Sequence, residues 1–313
     1  MSLTICQNFA LSVEHANLVK QAIAYEQASL SPNTLRTYGS FWKKFENWCS
    51  INNQACLPTS SETISLYLSS IGAAFSFSTL DSTIAAIEYV HEKANQSITG
   101  NHDLFRRVRK GIRRTHKENQ TLKQAVPLKV LDLKAICCKL GDSLKDCRDK
   151  ALLAVAYFGG LRRSEIVSLD LEHVEFNDKG AVATLLQSKT SDTAELVYLS
   201  YARDRDICPV SLLKAWLEKA QIKQGSIFRS LMKGNKIAGR LSGHSVSEIV
   251  KIHFGEEYSG HSTRRGLLTD AAEKNTPLHI MKKLSRHKSS EMVLRYAEAA
   301  KGFTDSAVSI LGM

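Results

Sequence analysis

The sequence contains no apolar run approaching the ~18 residues of a membrane span. Its first residues, MSLTICQNFALSVEHANLVK, show no basic segment followed by an apolar one, so we expect neither insertion into a membrane nor export. Only 5 prolines and 17 glycines occur in 313 residues, which excludes collagen-like and low-complexity chains. The seven cysteines (Cys6, Cys49, Cys56, Cys137, Cys138, Cys147 and Cys208) are odd in number and contain no CxxC pair. That argues against a closed disulfide framework and a structural zinc site. They read as reduced thiols of a cytoplasmic protein, with adjacent Cys137 and Cys138 buried or half-buried on a helix. P-loop, HExxH, acidic metal-cluster and GxSxG motifs are also missing, so the common phosphate-handling and hydrolytic machineries find no support.

What is present is a globular composition, 43% hydrophobic and 23% charged, on a chain long enough for two domains. Lys and Arg total 42 against 31 Asp and Glu, a net charge of +11. An excess of this size favours a polyanionic partner, and nucleic acid leads because nothing reads as an amphipathic membrane-surface helix.

Helical punctuation fills the first 120 residues. Ser31 reads as an N-cap with Pro32 at the first helical position, and Leu35, Tyr38, Trp42, Phe45 and Cys49 recur at steps of three and four. The other face of that helix carries Arg36, Thr37, Ser40, Lys43 and Lys44. A second helix is expected from Thr59, with Glu62 completing a capping box. A third buries Leu80, Ile84 and Ile87 and turns Ser78, Ser82 and Thr83 outward. Next, LFRRVRKGIRRTHK supplies Arg106, Arg107, Arg109, Lys110, Arg113, Arg114 and Lys117 without one acid, a single-signed run suited to phosphate contact. Thr37, Ser40, Ser78 and Ser82 are candidates for reading base edges. Polar, aperiodic text with Pro127 marks a linker at residues 118–128, dividing domain 1–117 from domain 129–313.

The second domain opens with helical text and changes between Val174 and Leu199 to short β-type runs, VEF, AVATLLQS and ELVYLS, which predict a small antiparallel sheet. Helix signals then resume, with Thr276 capping at Pro277 and Ser289 or Ser290 capping EMVLRYAEAA. The chemistry-bearing residues fall in this half: Gly160-Leu161-Arg162-Arg163-Ser164-Glu165, Lys189 in the turn QSKTSD, His261-Ser262-Thr263-Arg264, His287 in LSRHKSS, and Tyr296 nine residues later. Each piece alone is common. A surface arginine pairing with its neighbour, a chance HxxR or a half-buried core tyrosine would account for any one of them.

In this order and spacing the set resembles the tyrosine recombinase family, over nearly the whole chain, and the N-terminal half looks like the core-binding domain of Cre-type members. The resemblance implies a mainly α (α+β) fold: a helical core-binding domain and a mixed α/β catalytic domain with a small antiparallel sheet, closing as a C-shaped clamp on DNA. It implies site-specific recombination through a 3′-phosphotyrosine and a Holliday junction. The partners implied are double-stranded DNA with inverted-repeat sites and a homotetramer spanning two sites, monomeric when free and nucleoid-associated; no metal or other cofactor is required.

By this resemblance Tyr296 is the nucleophile, Arg162 and Arg264 grip the non-bridging oxygens, and Lys189 donates a proton to the leaving oxygen. His261 serves proton transfer at the tyrosine, His287 bonds the phosphate, and Glu165 orients the set. Guanidinium suits the grip because its planar fork offers paired donors where an ammonium is a point charge. Arg163, Arg265, Lys179 and Tyr258 are the neighbouring alternatives. Many family members read Gly-His where this chain reads Arg286-His287. Because helical text begins by about residue 14, no separate arm-binding domain is expected ahead of it. After Gly302, the tail from Thr304 reads as a short apolar-faced helix too small to stand alone. It would dock on its own domain or, as the resemblance implies, in a neighbouring protomer. A type IB topoisomerase, a telomere resolvase and a non-catalytic DNA-binding regulator are the other readings of the same set.

Overall fold

The computed structural model describes residues 13–117, 125–186, 194–287 and 289–301. The chain forms two compact units, Met1–Lys123 and Gln124–Met313. Among the described residues no helix is long and apolar enough to cross a membrane, and no cluster of His, Cys, Asp and Glu could hold a metal ion.

The first unit is helical: α1 (Val13–Ala28), α2 (Pro32–Ile51), α3 (Ser61–Ile71), α4 (Phe77–Lys93) and α5 (Asp103–Thr115). Ser31 caps α2 through its hydroxyl, which accepts from the Thr34 N–H at 3.1 Å. The aromatic stripe of α2 meets α3 and α4: Phe45 is fully buried and packs on Tyr67, with Leu68, Leu80 and Ile87 completing the core. Helix α3 starts later than its sequence suggests. Ser60, not Thr59, is the cap, because Thr59 is held in a loop pairing, its N–H donating to His91 and its carbonyl accepting from Thr99. Thr83 is also corrected: it is buried, its hydroxyl donating to the Thr79 carbonyl, because three residues past Leu80 and four before Ile87 it lies on the core side of α4.

The second unit is built around α7 (Leu144–Phe158), whose segment Ala151–Tyr157 is buried throughout. A helix apolar on all sides can only lie at a core's centre. Around it sit α6 (Val130–Lys139), α8 (Arg163–Ser168), α9 (Pro209–Lys219), α10 (Gly243–Phe254), α11 (Ser262–Glu273), α12 (Leu278–Ser285) and α13 (Ser290–Lys301). Strands β1 (Val174–Phe176), β2 (Gly180–Leu185) and β3 (Glu195–Ser200) form the antiparallel sheet in sequential order, with Leu185 opposite Glu195 at the open end. A second hairpin, β4 (Arg229–Met232) and β5 (Lys236–Arg240), lies where the sequence pattern suggested helices. Its signal was the Gly234-Asn235 turn, where both residues adopt positive φ. Helix α12 begins at Leu278 with Pro277 as its cap. Thr276 does not cap it, because its N–H closes the previous helix on the Ala271 carbonyl. Ser289 does cap α13, accepting from Glu291 N–H at 3.2 Å. Cys137 is buried as expected, whereas Cys138 is exposed and donates to Asp206.

Leu128, placed by its sequence context in the linker, is fully buried in the second unit's core, and its N–H donates to the Ser262 carbonyl at 3.0 Å. A lone apolar residue in polar text carries no periodicity, so only the packing reveals it. Opposite it stands Gly266, where an added Cβ would lie 1.6 Å from the Leu128 carbonyl oxygen. Gly266→Ala is therefore expected to cost about 3 kcal/mol through forced backbone displacement, lowering the thermal midpoint of this unit by roughly 6–12 °C. Calorimetry checks this, and an unchanged midpoint would show that the 125–130 segment can shift freely.

Candidate active site

Helix α7 ends in Gly159-Gly160-Leu161, and Gly160 turns with φ +52, where a Cβ would stand 2.9 Å from the Leu284 carbonyl. That bare turn lets the end of α12 approach closely and sets Arg162 as the extended residue opening α8. Glu165, three residues on, accepts from the Arg162 backbone N–H at 2.8 Å and from its guanidinium. Glu165 is fully buried. Burial alone would raise its carboxyl, but Arg286 first, and then the N–H and guanidinium of Arg162, outweigh it and hold it below the ordinary range.

Arg264, on the first turn of α11, is wholly buried. Its guanidinium donates to the Gly160 carbonyl at 2.7 Å and to the Ser285 carbonyl, while Nε has no hydrogen-bond partner among the described residues. Desolvation, then the charge of Arg162, lowers it to about 9, which leaves it protonated at neutral pH. His261 precedes α11. It is solvent-exposed as a whole residue, yet crowding by protein atoms, and after it the charges of Arg264 and Arg162, hold its imidazole below the usual range.

The third side comes from the turn between α12 and α13. The Ser285 hydroxyl donates to the Met281 carbonyl at 2.8 Å, so the 2.8 Å contact with His287 Nδ1 is made by an N–H on the imidazole. Burial, then Arg264 and Arg162, push His287 down to about 4. Its ring stacks on Tyr296 at 6.3 Å between centroids. Tyr296, half-buried on α13, packs against the cluster of Leu268, Ala272, Met281 and Val293, and the Arg265 guanidinium lies over its ring at 5.9 Å.

Five of the expected residues, Arg162, Glu165, Arg264, His287 and Tyr296, are thus brought together with His261 at their edge. Lys189 lies outside the described residues, as does the tail from Gly302. Of the alternatives, Lys179 is exposed in the β1–β2 turn and Tyr258 packs on Phe254 at 5.7 Å. Arg163 is drawn off to Ser247, at 3.0 Å. Arg286 is a site residue that sequence reasoning missed, and Lys282 and Lys283 line an open groove beside it with His279. The run MKKLSRHKSS carries these cations in plain view, but nothing local distinguishes them from a solvated helix end.

In the first unit, Arg36, Ser40, Lys43 and Ser78 are exposed, and Thr37 and Ser82 half-buried. The hydroxyls of Thr37 and Ser82 donate within their own helices, to the Asn33 and Ser78 carbonyls. Helix α5 divides its cations into two stripes at helical spacing. Arg106 approaches Glu88 at 4.0 Å, Arg109 pairs with Asp81 and Arg113 covers the Phe77 ring, all on α4. Arg107, Lys110 and Arg114 are exposed and have no ion-pair partner among the described residues.

Residues 128–302 match the model of the phage integrase family. An integrase/recombinase xerD homolog of Selenomonas ruminantium is 32% identical over 297 residues, covering 90% of this chain and 86% of that protein. The fold resembles that of the Tn1549 transposon integrase in complex with transposon right end DNA, with a TM-score of 0.61 at 11% identity over 94% of this chain and 96% of that one. It also resembles a lambda integrase dimer bound to a core site, with a TM-score of 0.57 at 19% identity over 92% and 96% of the two chains.

Proposed function

This chain belongs to the phage integrase family and is a site-specific tyrosine recombinase, and from that premise we propose that Tyr296 attacks a DNA phosphodiester. Its oxygen bonds to phosphorus as the bond to the 5′ oxygen breaks, giving a 3′-phosphotyrosine and a free 5′ hydroxyl. A phenol is a poor nucleophile until it loses its proton, which His261 takes, and Lys189 supplies the proton that the leaving 5′ oxygen needs. Arg162 and Arg264 hold the non-bridging oxygens, where fixed donors are worth most because they need no reorganisation. The observation that carries this reading is the convergence of Arg162 and the buried Arg264 on the turn that presents His287, whose ring stacks on Tyr296.

His287 is neutral without DNA, and its one N–H is committed to Ser285. It can donate to the phosphate only after taking up a proton, which the phosphate's negative charge favours. A second 5′ hydroxyl reverses the attack, so strands exchange through a Holliday junction without an energy cofactor. The layout is Cre-like: each inverted half-site takes one protomer, four protomers join two sites, and the free protein is a monomer. The cytoplasm, on the nucleoid, is where its substrate lies.

Incubation with a random duplex library, followed by trapping and sequencing of covalent adducts, tests this. Adducts should recur at one sequence with inverted halves, whereas a complete absence of adducts would overturn the reading. On the selected duplex, Arg107→Ala with Lys110→Ala is expected to reduce the slope of log affinity against log salt by about two units. Arg106→Ala with Arg109→Ala, whose charges are already paired on α4, should change the slope by less. Equal slopes for the two doubles would remove the outward stripe from the DNA interface.

A further inference from the structure

The turn that presents His287 is held by a side chain outside the set described for the reaction. Arg286 adopts the left-handed conformation, φ +52, at the end of α12. Its guanidinium is nearly buried and donates to the Gly159 carbonyl at 2.9 Å, the Gly160 carbonyl at 3.0 Å and Glu165 at 2.8 Å. In the other direction, Arg162 donates to the Arg286 carbonyl at 3.2 Å, and Arg264 to that of Ser285. The turn before His287 and the turn before Arg162 therefore grip each other reciprocally. One edge of Arg286 is left over. Its Nε faces the Glu195 carboxylate at 3.5 Å, and both Nε and the Glu195 oxygen are buried without a hydrogen bond among the described residues.

Glu195 opens β3 and pairs in register with Leu185, the last residue of β2. These two residues bound the segment whose sequence holds Lys189. The ion pair thus joins the open end of the sheet to the arginine-bearing turn.

We propose that Arg286 and Glu195 are positioning residues: Arg286 locks the His287 turn onto the arginine box, and its pair with Glu195 fixes the open end of the β2–β3 hairpin, from which the chain runs on to Lys189. A partly buried ion pair suits registry more than stability, because charges drawn out of water gain little net free energy on pairing but resist separation. This rests on the reading of Lys189 as proton donor, so the test separates the two.

The probe is the duplex recovered by covalent trapping, made with either oxygen or sulfur at the 5′-bridging position of the mapped cleavage site. A thiolate leaves without protonation, so sulfur bypasses a missing or misplaced proton donor. Single-turnover cleavage is measured for wild type, Lys189→Ala, Glu195→Gln and Arg286→Gly, with thermal midpoints in parallel. Glycine tolerates the left-handed conformation, so Arg286→Gly removes the side chain without backbone strain.

Glu195→Gln should slow the oxygen substrate at least about 10-fold, a loss on the scale of general-acid catalysis, and return to within about 3-fold of wild type on sulfur. Arg286→Gly should be slower on both, with partial recovery on sulfur, since it also releases the arginine box. If Lys189→Ala is equally slow on both substrates, the proton-donor reading fails. If Lys189→Ala recovers on sulfur while Glu195→Gln does not, or if Glu195→Gln cleaves oxygen at the wild-type rate, the positioning role is overturned. Should Arg286→Gly not fold, Arg286→Lys replaces it, and full activity of that folded variant would likewise count against the guanidinium's contacts.

Discussion

Tyr296→Phe is expected to bind the selected duplex as tightly as wild type and to form no covalent adduct, a loss on the order of 10⁴-fold or more in cleavage. The ring is what the fold uses: it packs on the cluster of Leu268, Ala272, Met281 and Val293, stacks on His287 and lies under Arg265. None of these contacts needs the hydroxyl, which makes no hydrogen bond among the described residues, so its removal leaves no buried polar group unpaired. Binding and thermal midpoint should stay put while the phosphotyrosine disappears from denaturing gels. An adduct of normal yield would move the nucleophile elsewhere, with Tyr258 the next residue to test.

Arg264→Lys is expected to lower cleavage by on the order of 10² or more, because the paired donors are lost although the charge stays. The same change should also lower stability, since one ammonium replaces the donors to the Gly160 and Ser285 carbonyls, and of the two only Gly160 keeps another donor, Arg286. One buried carbonyl left unpaired costs about 1–3 kcal/mol. Arg162→Lys separates the two effects. Arg162 is partly exposed, with 17% of its side chain accessible, and Glu165 keeps Arg286 as a partner. That variant should fold close to wild type and still lose cleavage on the order of 10². Single-turnover rates measured beside unfolding midpoints decide it. If both lysine variants cleave at near wild-type rates, the arginines hold the fold and not the phosphate.

How much of this was legible in the sequence depends on the range of each interaction. The Ser31 cap follows from residue type beside Pro32, and the α2 stripe of Phe45 and Cys49 from steps of three and four along one helix; for α13 the text left Ser289 or Ser290 as cap, and the structure selects Ser289. Thr59 and Thr276 were misread because each looked like a good cap by residue type, whereas its backbone N–H was claimed by a partner that the local pattern does not contain. The basic run of α5 was visible as charge, but its division into a paired and an outward stripe depends on Asp81 and Glu88 of another helix.

By itself, the sequence determined the helical character of the first unit, the three-stranded sheet of the second, and the order Arg162, His261, Arg264, His287 and Tyr296 that carries the resemblance to tyrosine recombinases. These are set by residue type and short-range periodicity, which a linear text displays. Tertiary structure alone decided that Leu128 belongs to the second unit's core, that Gly266 must be bare against it, and that Arg286 joins Glu165 and Glu195. The physical reason is desolvation: the need to pair a buried guanidinium or clear a backbone contact arises only when segments far apart in the chain exclude water together.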